Sequence, residues 1–264
     1  MSLGGKMGKI VSVHSFRGGT GKSNMTANLA VSVARKGNRV GIVDTDIQSP
    51  GIYVLFNLDI EKVDHTLNDY LWGKCSIEEA AVDVSSLFPC EDEKAAVGGR
   101  LYLIPSSNKT GEITRILREG YDVGALNDGF RDLIRGLKLD YLFLDTHPGL
   151  NEETLLSIAV SNILILILRP DKQDFQGTAV TVEVARKLQV QNLFLIVNKV
   201  LPDFDFEDIR RQIESIYQAP VVGLLPLSLD MVRLASGGIF CLKHPEHEIS
   251  KKIDGIANRI IANE

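Results

Sequence analysis

Short apolar runs alternate with longer stretches whose apolar residues recur at helical spacing, from one end of the chain to the other. Residues 10–14, 39–44, 101–105, 141–145, 163–168, 193–198 and 221–225 are the short runs, and 163–168 is aliphatic at every position. Runs this apolar suit strands buried on both faces. Between the first two, residues 22–36 carry Ala27, Ala30, Val31 and Ala34 at helical spacing, and Gly37 follows as a stop. The alternation predicts an α/β fold, a mostly parallel β-sheet with right-handed crossovers and helices on both faces. Residues 76–100 are the least regular and are predicted to form a surface excursion. Residues 249–261 place Ile249, Ile253, Ile256, Ile260 and Ile261 on one helical face, as a final helix packed on the sheet would. No Pro- or Ser-rich linker divides the chain, so a single domain over residues 1–264 is expected, with residues 1–8 a frayed or artificial leader. Polar residues stand at the carboxyl ends of the apolar runs, where open α/β sheets bind ligands.

Composition narrows the class without changing this picture. The chain has 264 residues, 44% apolar and 24% charged, which is ordinary for a soluble globular protein of one large sheet domain. A formal net charge of −5 argues against a surface wholly devoted to nucleic acid and leaves a local basic patch open. Cys75, Cys90 and Cys241 are scattered and form no C-x-x-C. They read as thiols of a reducing compartment rather than as a disulfide framework or a clustered metal site. The beginning of the sequence has no signal-peptide pattern, and no uncharged stretch reaches membrane-spanning length, so a cytoplasmic location is expected.

The chemistry concentrates in Phe16-Arg17-Gly18-Gly19-Thr20-Gly21-Lys22-Ser23, between a predicted strand and a predicted helix. Glycines let backbone N–H groups turn toward a phosphate chain, and the helix N-terminus adds the positive end of its dipole. Lys22 supplies a mobile cation for the β- and γ-phosphates, and the Ser23 hydroxyl is placed for Mg²⁺. The strict G-x-x-x-x-G-K-[ST] pattern fails, because its first glycine would fall at Phe16. Asp44, Asp46 and Asp145 end two of the apolar runs. Alone, each could be a turn residue. Beside a phosphate loop they are candidates for a metal-and-water site.

Arg17-Gly18-Gly19-Thr20-Gly21-Lys22-Ser23 resembles the deviant Walker A of the ParA/MinD/Mrp family of P-loop ATPases, whose usual form is K-G-G-x-G-K-[ST]. Asp44-Thr45-Asp46 resembles that family's switch I. Asp145-Thr146-His147-Pro148-Gly149 resembles its Walker B and switch II. The similarity continues in order through residues 101–106, Asn198-Lys199 and residues 223–226, with Arg233 beyond. It implies an ATP hydrolase using Mg²⁺. Gly18, Gly19, Thr20, Gly21, Lys22, Ser23 and Asn24 would contact the nucleotide, and Asn198 and Pro226 its base. Ser23, Asp46 and Asp145 would serve the metal, and Lys22, Asp46 and Arg17 the chemistry. Asp46 would polarise the water, Asp145 would hold a metal-bound water, and Asp44 would be structural. Leu201 stands where guanine-selective relatives place Asp, so adenine is favoured.

The departures matter as much as the matches. Arg17 replaces the family's signature lysine, which reaches across a sandwich dimer. It is either a trans-acting arginine or an exposed loop residue. His147 replaces a usual Pro or Ala, and no chemistry is expected of it. The iron–sulfur branches carry cysteine pairs that this sequence does not. The resemblance implies an ATP-dependent homodimer and an activating partner protein, in the service of cellular positioning or partitioning. The alternatives are an ATP-sensing scaffold with negligible turnover and a small-molecule ligase or kinase on the same fold.

Overall fold

The computed structural model describes residues 8–88 and 99–263. The expected leader, save Gly8, and Cys90 lie outside the described residues. Eight strands form one sheet: β1 (Lys9–His14), β2 (Arg39–Asp44), β3 (Val82–Asp83), β4 (Arg100–Ile104), β5 (Tyr141–Asp145), β6 (Ile163–Leu168), β7 (Asn192–Val200) and β8 (Val221–Pro226). Their order is β3-β4-β2-β5-β1-β6-β7-β8, and every neighbouring pair is parallel except β3 with β4. All the expected strands are present, and β3 is an addition.

The run of six aliphatics in β6 shows why such strands suit a central position. Side chains alternate between faces, so Ile163, Ile165 and Ile167 join one core layer and Leu164, Leu166 and Leu168 the other. The first layer is covered by α1 (Lys22–Arg35) and by the last helix, Glu248–Ala262. Met25, Ala27, Ala30, Val31 and Ala34 of α1 are buried, their mostly small side chains letting the helix lie close. The second layer is covered on one half of the sheet by α5 (Val123–Gly136), and on the other by α6 (Glu152–Ala159), α7 (Lys172–Lys187) and α8 (Phe206–Tyr217). The short helices α2 (Ile52–Leu55) and α3 (Leu67–Leu71), with α4 (Thr110–Glu119), connect these parts. After β8 come α9 (Leu229–Leu234), α10 (Phe240–Lys243) and the last helix, α11.

Of the surface excursion expected over residues 76–100, residues 89–98 lie outside the described residues, and 76–88 combine exposed positions with buried anchors. Ile77, Ala80, Val84 and Phe88 are buried. They are single apolar residues in an irregular backbone, so no periodicity announced them. The segment also closes the sheet at one side. Ser85 Oγ accepts from Leu101 N at 2.9 Å, and Val84 N donates to Leu101 O at 2.9 Å. At the opposite side, Glu214 Oε1 accepts from Val221 N at 2.8 Å and Arg210 Nη1 donates to Val221 O at 2.5 Å.

The parallel arrangement brings one end of every central strand to one rim. His14, Asp44 and Asp145 end β1, β2 and β5 there, with Asp44 level with Asp145. Asn198 and Pro226 lie near the corresponding ends of β7 and β8.

Candidate functional site

The turn from β1 into α1 has the backbone its glycines permit. Gly19 and Gly21 have φ of 77° and 95°, and Gly21 is the N-cap residue of α1. No side chain caps α1, whereas Asp122, Asn151, Asp171 and Asp205 cap α5, α6, α7 and α8. The first N–H groups of α1 are thus left to whatever the loop binds. Gly21 is also required by packing, since a Cβ there would stand 2.6 Å from Asn198 Nδ2.

Lys22 is nearly enclosed and donates from Nζ to Asp145 Oδ1 at 2.8 Å. Its Nζ lies 3.4 Å from Ser23 Oγ, and the Thr26 hydroxyl lies 3.0 Å from both Lys22 O and Asp145 Oδ1. Lysine, serine hydroxyl and carboxylate therefore meet under the loop, which brings together Lys22, Ser23 and Asp145, three of the residues singled out in the sequence. Among the described residues no three His, Cys, Asp or Glu side chains gather into a metal cage. A hydroxyl and a single carboxylate do suit Mg²⁺, which takes few protein oxygens and completes its shell with phosphate and water.

β7 ties the loop down from the other side. Asn198 Nδ2 donates to Thr20 O at 2.8 Å, and Lys199 Nζ donates to Gly19 O at 2.7 Å. Lys199 holds a φ of 59°, a left-handed conformation uncommon for a residue with a side chain. A cavity of about 200 Å³ opens beside this junction, lined by Gly21, Asn24, Asn198, Pro226, Leu227 and Met231 among others. Its walls are mostly apolar, with the amides of Asn24 and Asn198 among them, a lining that suits a flat heterocycle. Asn24, Asn198 and Pro226, expected to touch the nucleotide, share it.

The segment after β2 is folded around Asp44. Its carboxylate accepts from Asp46 N at 3.1 Å and from Gly51 N at 3.2 Å, the structural role expected of it. Burial, and then the nearby charge of Asp145, push its pKa well above the ordinary carboxylate value. Asp46 is brought to the same rim. There it meets a residue to which the sequence gave no chemistry: His147 Nδ1 lies 2.6 Å from Asp46 Oδ1. The one sequence signal was the motif resemblance, in which Pro or Ala is usual at this position.

Arg17 stands apart from Lys22. Its side chain is 42% exposed, and its Nε lies 4.0 Å from the buried carboxylate of Asp174. Asp174 is already held by Arg169, through Nε at 2.9 Å and Nη2 at 3.1 Å. This pair, Arg169 just after β6 and Asp174 in the first turn of α7, was not anticipated, since its members are separated by a turn and carry no motif.

Known proteins with the same pattern identify the chain. The family model described as ParA, NUBPL iron-transfer P-loop NTPase, matches residues 6–261. The chain belongs to this family. A relative from Methanocaldococcus jannaschii, an uncharacterized ATP-binding protein, is 25% identical over 256 residues, which is 97% of this chain and 88% of that protein. Among solved structures, the cell division ATPase MinD of Pyrococcus furiosus superposes with a TM-score of 0.79 at 21% identity, covering 98% of this chain and all of that one. The septum site-determining protein MinD of Pyrococcus horikoshii, solved with Mg-ADP, gives 0.77 at 22% identity over 96% of each chain. The ParA/MinD fold is therefore that of this chain. No described helix is long and apolar enough to cross a membrane.

Proposed function

We propose that this ParA-family protein binds Mg-ATP and hydrolyses it slowly, and that the bound nucleotide switches its association with a second copy and with a partner protein. The observation that carries the reading is the Lys22–Asp145 pair beneath an uncapped helix N-terminus, beside an apolar cavity of the size of a base. Lys22 exchanges the Asp145 carboxylate for the terminal phosphates. Ser23 would hold a magnesium ion and Asp145 a water bound to it, and the ion would neutralise phosphate charge when bound. Gly18 to Asn24 cradle the phosphate chain, and Asn198 and Pro226 flank the adenine. Leu201 offers no carboxylate to a guanine edge. Asp46 orients the attacking water, and Arg17 meets the partner copy's phosphates.

An iron-carrier role, suggested by the family description, would need thiols that converge. Cys75 is half-buried and Cys241 is buried behind α1, where its N–H donates to Asn28 Oδ1 at 2.8 Å. With Cys90 they form no pair motif in the sequence. The scattered thiols favour an ATP switch.

The test is Lys22→Ala, read by calorimetric titration with ATP and Mg²⁺ and by phosphate release over many turnovers. Removing the cation should weaken ATP binding by about a hundredfold or more, as expected for losing several charge-assisted bonds. Wild-type protein should release phosphate in excess of its own concentration. Unchanged affinity in the variant, with its melting transition intact, would refute the phosphate-loop assignment. A wild-type protein that binds ATP without turnover would leave a nucleotide-sensing scaffold in place of an ATPase.

A further inference from the structure

We infer that His147 is a positioning residue for the hydrolytic step, acting through Asp46; this rests on the proposed hydrolysis reading. Several independent constraints fix the imidazole. His147 precedes Pro148, which restricts its backbone to extended conformations. Its carbonyl accepts from Thr154 Oγ1 at 3.3 Å in the first turn of α6, the helix capped by Asn151. With the main chain held from both sides, Nδ1 reaches Asp46 Oδ1 at 2.6 Å. Such a distance is that of a strong imidazole N–H to carboxylate bond.

Asp46 is anchored from below by its own backbone. Its N–H donates to Asp44 Oδ1, and its carbonyl accepts from Ser49 N at 3.1 Å. That fixes the main chain and leaves the carboxylate free to rotate about its side-chain bonds. The imidazole removes that freedom by engaging one oxygen, so the other keeps one direction for the water. The same contact ties residues 44–51 to 145–149, which already meet where Thr45 N donates to Asp145 O at 3.0 Å. The residue that follows the carboxylate of Asp145 by two positions thereby orients the second carboxylate of the site. Pro or Ala at 147 could not do this, because neither carries a side-chain donor.

The experiment compares wild type, His147→Ala and His147→Asn in steady-state ATP turnover, with direct measurement of ATP affinity. Asparagine is chosen because its amide nitrogen stands where Nδ1 does and can donate to the same oxygen. His147→Ala should lower kcat about tenfold or more, the scale of a lost hydrogen bond to a charged group, with KM and ATP affinity within about twofold. His147→Asn should restore kcat to within about threefold of wild type. Unchanged kcat in His147→Ala overturns the inference, as does an equal rise in KM and Kd. A loss that asparagine fails to repair also overturns it, because the hydrogen bond would then not be the cause. If wild type itself shows no turnover, the hydrolysis reading fails and the inference with it. If wild type turns over and the His147 variants match it, only the inference fails.

Discussion

His14 ends β1 fully buried, with an imidazole that has no place for a second proton. The Thr146 hydroxyl donates to Val13 O at 3.0 Å, so His14 Nδ1 must be the donor in its 2.8 Å contact with Thr146 Oγ1. Nε2 is then an acceptor with no hydrogen-bond partner. Burial first, and then the charges of Lys22 and His147, bring its pKa down to about 3 from 6.5. The sign follows directly. Between pH 6.5 and about 3 the unfolded chain binds a proton at this residue that the folded chain refuses, so stability falls as pH falls through that window. The slope reaches about 1.4 kcal/mol per pH unit. Asp44 works in the opposite sense: its raised pKa gives stability that is lost as pH rises above its unfolded value. The difference between wild type and His14→Asn isolates the imidazole. Urea midpoints from pH 7.5 to 4.5 should show the variant losing less stability than wild type toward acid. Parallel curves would mean that His14 carries no proton linkage.

At the scale of elements, α7 is the support for the entry to the phosphate loop. Gly177 lies buried on that helix, and a Cβ there would overlap the Phe16 ring at its Cδ1 and Cγ atoms. Alanine normally improves a helix interior by about 1 kcal/mol over glycine. Here the overlap with the body of a ring should reverse the sign, so Gly177→Ala is expected to destabilise by about 1–3 kcal/mol. Phe16→Ala in the same chain should recover most of that loss, because it removes the ring that the methyl meets. Equilibrium denaturation of the two single variants and the double variant checks this, and additive losses would contradict it. The contrast also shows what a sequence can display. β6 and α1 were legible because burial on two faces, or on one helical stripe, imposes a period on the residues themselves. Lys22, Ser23 and Asp145 stood out in the sequence because a glycine-rich turn ending in Lys-Ser and an acidic strand end are recognisable patterns, and the fold places the three together. Gly177 beneath Phe16, Arg169 on Asp174 and His147 on Asp46 were not, since each joins residues from separate segments and only the fold brings them together. The buried anchors Ile77 and Phe88 of the irregular run were not legible for the same reason, as they are set by what they cover.

The whole molecule poses the question of how two copies would meet. Arg17 is half in solvent and shares Asp174 with an arginine that already occupies both carboxylate oxygens. Such a partly exposed, second-place ion pair is screened and costs little to leave. If Arg17 serves the other copy, Arg17→Ala subunits mixed with Lys22→Ala subunits, each inactive alone, should regain partial turnover. The intact loop of the first would face the intact Arg17 of the second. Mixed dimers that form and stay inactive would assign Arg17 to its own subunit. The closed sides of the sheet decide which routes to such a pair exist. Among the described residues, the β3 turn with Ser85 covers the free side of β4. Side chains of α8 take both backbone groups of Val221, and β8 ends at Pro226, which has no N–H. What stays open on either flank is shorter than the roughly five or six residues of an ordinary strand. Among the described residues, a neighbour therefore finds only a short backbone template on which to lengthen this sheet, which disfavours growth by strand addition. Under the proposed function, assembly would then fall to side chains, on the helical layers or on the rim that carries the candidate site, where a small molecule could decide whether two surfaces match.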